Sequence, residues 1–77
     1  MRAAQDDPVL KKLTFVLGPE EAPRFISTTC RQLGLQGLNG PQDRMLFACS
    51  LIQRGGLFEA IGRAIKIQAI LHGATEP

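Results

Sequence analysis

The chain contains no tryptophan, no tyrosine and a single histidine, His72, and its only cysteines are Cys30 and Cys49. Each scarcity removes a class of function. Without Trp or Tyr there is no aromatic platform of the kind on which single-stranded bases stack, and the four Phe lie among other apolar residues. One histidine near the C-terminal end leaves no readable Ser-His-Asp arrangement. His72, Cys49 and Cys30 are separated by 23 and 19 positions, spacings that match no compact zinc motif. Two cysteines are too few for a disulfide-dense secreted scaffold. In their helical, apolar surroundings they read as reduced core thiols, although facing helices would allow a bridge between them.

Long apolar runs are missing too. Nothing approaches the roughly 18 residues of a membrane span, and the stretch Leu46 to Cys49 is interrupted by Ser50. The opening Met1-Arg2-Ala3-Ala4-Gln5-Asp6-Asp7 is polar and acidic where a signal peptide needs an apolar stretch. The expectation is a soluble, cytoplasmic protein. Phosphate-binding loops are also absent. Gly34, Gly37 and Gly40 recur at every third position, but no Gly-Lys-Ser/Thr end and no G-x-G-x-x-G spacing accompanies them. No basic residue lies between them, as the backbone clamp of an RNA-binding GxxG loop would need. They read as an inter-helix loop, and no cofactor or metal is expected.

What the chain does have is apolar bulk. Of 77 residues, 44% are apolar: ten Leu, eight Ala, six Ile, four Phe and two each of Val, Met and Cys. A chain of this size buries only about 60–65% of its unfolded surface when it folds alone. The apolar load therefore exceeds the interior available to it.

The pattern of that load is helical. Asp7-Pro8 starts a helix, with Asp7 as N-cap and Pro8 in the first turn. Val9, Leu10, Leu13, Val16 and Leu17 follow at helical spacing until Gly18, although residues 13–17 also fit a short strand and Phe15 falls off the stripe. A second helix carries Phe25, Ile26, Thr29, Cys30 and Leu33 on one face, and Gly34 caps it. Gly40-Pro41 opens a third, which Gly55-Gly56 ends, and the last runs to His72. The reading is an all-α, compact bundle of four short helices, about 8–17, 20–33, 41–54 and 57–72, open to completion by dimerisation. Residues 8–73 form the single domain, between a flexible segment 1–7 and a flexible tail 74–77.

Two of these helices are apolar over too wide an arc. In the last, Leu57, Phe58, Ala60, Ile61, Ala64, Ile65, Ile67, Ala69 and Leu71 cover roughly 200° of the helical wheel. Glu59, Gly62, Arg63 and Lys66 hold the remaining polar stripe, with Ile70 intruding on it. An ordinary surface helix needs little more than about 100°. Either this is a central helix wrapped by the other three, or a second chain covers one flank. The third helix repeats the feature, with Leu46 on its otherwise polar side. Leu46, Phe58, Ile67, Ile70 and Leu71 are the expected partner contacts. Arg63 and Lys66, offset by Glu59, make a poor polar face for a membrane-surface helix, so a membrane partner is not expected.

Charge supports a second reading. Between residues 22 and 72 stand six basic residues and two acidic ones, and the whole chain has a formal net charge of +2. Arg24, Arg31, Arg44, Arg54 and Arg63 are candidate contacts to an anionic partner. Arginine without lysine clusters also suits protein interfaces. The leading expectation is a non-enzymatic adaptor or regulatory module that self-associates as a homodimer, or docks a protein partner, through its wide apolar helix face. The alternative is a small nucleic-acid-binding regulator that uses the arginine-bearing surface.

Overall fold

The computed structural model describes residues 8–76. Four helices follow one another: α1 (Pro8–Leu17), α2 (Glu21–Leu33), α3 (Pro41–Arg54) and α4 (Gly56–Leu71), with no strand among the described residues. The fold is the all-α bundle that the periodicity implies, and residues 13–17 are helical. Segment 1–7, with the expected cap Asp7, lies outside the described residues.

Local chemistry explains the helix boundaries. Pro23 sits inside the first turn of α2, where an amide N–H has no intrahelical acceptor and its loss costs nothing. At the other end Gly34 adopts a left-handed conformation, φ 77°. Its N–H donates to the Arg31 carbonyl (3.1 Å), and the Leu35 N–H reaches back to the Cys30 carbonyl (2.8 Å). This is the Schellman arrangement, and it turns Leu35 inward to pack on the core. Between α3 and α4 only Gly55 intervenes, also at φ 77°, so the two helices form a tight hairpin.

That hairpin is the most extensive contact in the molecule. α1 packs on α2, and lighter α2–α3 and α1–α4 contacts close the bundle. The central element is α3 rather than α4: Met45, Phe47, Ala48 and Leu51 are completely buried. Around Phe47, Ala48 and Leu51 gather Val9 and Leu13 of α1, Ala22 and Cys30 of α2, and Ile61 and Ile65 of α4. The radius of gyration, 11.3 Å, is close to the roughly 11.5 Å of a compact chain of this length, so residues left exposed are not the product of a half-closed bundle.

Gly62 departs from the sequence-based expectation. The helical wheel puts it on the polar stripe, yet it is buried against α3. A Cβ there would lie 2.7 Å from the Ala48 carbonyl oxygen and 2.9 Å from Ile52 Cγ1. The close approach of α3 and α4 therefore requires the missing side chain.

The described part of the C-terminal segment, 74–76, makes contacts with the bundle. Gly73 (φ 107°) closes α4 with a second Schellman arrangement, the Ala74 N–H donating to the Ala69 carbonyl at 2.9 Å. This buries Ala74 against Met45 and Ala69. Thr75 is then held through its backbone: its N–H donates to Gln42 Oε1 (3.0 Å), and Gln42 Nε2 donates to its carbonyl (2.9 Å).

Two substitutions test this packing. Adding a methyl group at Gly62 gains about 1 kcal/mol of helix propensity but forces overpacking worth about 1–3 kcal/mol against an unyielding backbone oxygen. Gly62→Ala is expected to lower stability by up to about 2 kcal/mol in urea unfolding; a gain would contradict the close contact. Thr29 is 1% exposed and its hydroxyl has no hydrogen-bond partner among the described residues. Thr29→Val removes that orphaned group at nearly constant shape and should raise stability by about 1 kcal/mol; a loss would show the hydroxyl to be satisfied.

Candidate interaction surface

The Gly62 contact fixes the roll of α4 about its axis. Ile61, Gly62, Ile65 and Ala69 face the interior. On the helical wheel, Leu57, Ala60, Ala64, Ile67 and Leu71 are centred roughly 135° away from that face. Their spacings are 3, 4, 3 and 4 residues, the a/d repeat of a helix–helix seam. Among the described residues no helix packs along this seam. Leu57 is 59% exposed, Ile67 58% and Leu71 72%; Ala60 is exposed and Ala64 half-buried.

α1 widens the seam into a groove of about 500 Å³. Phe15 and Val16 form its second wall beside Leu57, Ala60 and Ala64, with Ile61 among them and Lys11 and Lys12 at the rim. Phe15, the residue that left the α1 stripe, is 93% exposed. An aromatic ring so fully in water contributes nothing to the monomer's core, since its burial is where its free energy would come from.

The expected contact residues divide accordingly. Ile67 and Leu71 belong to the seam. Ile70, 43% exposed, lies about 100° around the helix from Leu71, on the side of Glu59, Arg63 and Lys66. Phe58 is not an exposed anchor. It is half-buried and packs on the core, its ring stacked on Phe25 at 5.3 Å between centroids, while Phe25 meets Phe47 edge to face at 6.3 Å. Leu46 is half-buried on α3 and does not line the groove. Phe15, Leu57 and Ala60 were missing from the expected set. The signal for α4 was present in its 3-4-3-4 spacing, but nothing in α1 marks Phe15 except its departure from the stripe.

The five arginines are distributed over α2, α3 and α4. Arg24 pairs with Glu21 (3.6 Å), and Arg63 with Glu59 one helical turn away (2.6 Å). The Arg54 guanidinium lies 5.0 Å from the Phe25 centroid and 6.0 Å from that of Phe58, covering the aromatic cluster. Arg44 Nη2 donates to the Leu38 carbonyl (3.3 Å) and so ties α3 to the preceding loop. Arg31 is exposed on α2. Four of the five thus have an intramolecular partner, Arg24 and Arg63 in exposed pairs within their own helices.

Cys30 and Cys49 are free thiols, Cys30 buried and Cys49 half-buried. Burial, with a smaller contribution from the Asp43 carboxylate, pushes the Cys30 thiol above its ordinary value, which keeps the sulfur protonated and unreactive at neutral pH. Among the described residues no three His, Cys, Asp or Glu side chains converge as a metal site, and no helix is long and apolar enough to cross a membrane. Comparison with protein-family models, with curated proteins and with solved structures finds no match.

Proposed function

We propose that the chain is a non-enzymatic interaction module, of the adaptor class, whose working surface is the outward stripe of α4. The observation that carries this reading is the seam of Leu57, Ala60, Ala64, Ile67 and Leu71, apolar at every position and exposed at all of them but the half-buried Ala64. Soluble monomers rarely leave a contiguous apolar patch in water, and large ones mark sites of interaction. The spacing selects the kind of contact. A helix lying along α4 meets a side chain alternately every three and four residues, whereas an extended strand would meet every second one. The two small residues, Ala60 and Ala64, sit mid-seam and allow a close backbone approach between the larger Leu57 and Ile67.

None of the seam residues belongs to the buried core of the monomer, and this separates binding from folding. The test is the double variant Leu57→Ser with Ile67→Ser, examined in extracts of cells that express the chain. The wild-type chain should sediment as a complex larger than the monomer, and the variant as the monomer, with thermal unfolding of the purified variant unchanged to within about 0.5 kcal/mol. A wild-type chain that sediments as the monomer, or a variant that keeps the size of the complex, would overturn the reading.

A further inference from the structure

The groove between α1 and α4 has a sign as well as a shape. α1 carries Lys11 and Lys12, α4 carries Arg63 and Lys66, and the only acid on either helix is Glu59, so the pair bears a formal charge of +3. Arg63 is neutralised by Glu59, and Lys66 is paired with Glu76 at 3.5 Å. Lys11 and Lys12 are left at the rim of the groove, and no ion pair engages either of them among the described residues. The floor between them and the seam is apolar: Phe15, Val16, Leu57, Ala60 and Ala64.

We infer that the occupant of this groove is an amphipathic helix of another protein, apolar along one stripe and acidic along the edge that faces α1. It rests on the proposed docking function and names the partner's chemistry. The apolar stripe of such a helix enters between Phe15 and the α4 seam, closest at Ala60 and Ala64. Its acidic edge lies against Lys11 and Lys12. Complementary rim charges act on partner choice and association rate more than on total affinity.

A second copy of this chain fits the apolar floor but not the rim. An antiparallel twofold pair of α4 helices sets the α1 flanks of both copies along the same edge, so the lysines of the two copies share that edge. Each copy also carries a net charge of +2. Like charges so placed work against the pairing.

Two synthetic helical peptides decide the matter. Both carry leucine and alanine in the 3-4-3 pattern along one stripe; one has glutamates on the flanks and the other has lysines. Fluorescence anisotropy is measured with the purified full chain at low and at high salt. The glutamate peptide should bind at least about tenfold more tightly, a difference of about 1.4 kcal/mol that shrinks as salt screens the rim. Lys11→Glu with Lys12→Glu should reverse the order, so that the lysine peptide binds better. That gain of binding cannot come from misfolding. Equal affinities for the two peptides, or a preference the charge reversal leaves intact, overturn the inference. So does a purified wild-type chain that sediments as a dimer and is split by Leu57→Ser with Ile67→Ser, which assigns the seam to a second copy. Binding to anionic lipid vesicles without binding to either peptide overturns it in favour of a lipid surface. A cellular complex that is lost in the seam variant, combined with no preference between the peptides, removes the acidic partner and leaves the docking function standing.

Discussion

The close approach of α3 and α4 at Gly62 is the contact on which the rest of the surface depends. α4 carries two apolar stripes, and hydrophobicity alone does not decide which of them faces the core. Only one contains a glycine, and only there do the Ala48 carbonyl and Ile52 of α3 come within 3 Å of where a Cβ would stand. Packing at crystal-like density makes this choice steep, because neither backbone can yield without disturbing the neighbouring side chains. The hairpin turn at Gly55 brings the two helices together, Gly62 fixes their roll, and Leu57, Ala60, Ala64, Ile67 and Leu71 are consequently left outside.

The same economy explains how so small a chain can leave apolar residues in water. The interior is organised by α3, whose four wholly buried side chains contact every other helix or the docked C-terminal segment. The Schellman turns at Gly34 and Gly73 then draw Leu35 and Ala74 onto the bundle and satisfy helix-end carbonyls that would otherwise be exposed. With the core filled in this way, the surplus of leucine and isoleucine that the composition contains has no inward position to occupy. Most of it, Leu57, Ile67 and Leu71, lies on one face of α4 in a regular repeat, while Ile70 and Leu33 are exposed elsewhere.

Much of this was legible before the fold was known. Four helices follow from the apolar periodicity and from Gly18, Gly34 and Gly55 as stops, and their bounds fall within a residue of expectation. The excess on α4 was legible too, because an arc of about 200° cannot be buried on one neighbour. What the sequence did not reveal was which part of that arc is inside. Gly62 looks polar on a helical wheel because it has no apolar side chain, and the wheel records side chains rather than close backbone contact. Phe58 looks exposed for a related reason: its partner Phe25 lies more than thirty positions away, and a long-range ring stack leaves no local pattern. Phe15 is off the stripe of its own helix, and only the packing of α1 beside α4 gives that position a meaning. The contacts of the C-terminal segment have no local pattern either, since the left-handed turn at Gly73 directs the chain onto Met45 and Gln42.

Hydroxyl-radical footprinting of the chain within its cellular complex, compared with the purified chain alone, tests the central claim most directly. Oxidation of Phe15, Leu57, Ile67 and Leu71 should fall sharply in the complex, while Leu33, exposed at the far end of α2, should react equally in both. Unchanged oxidation along the α4 seam, or protection confined to Ile70 and Leu46, would contradict it.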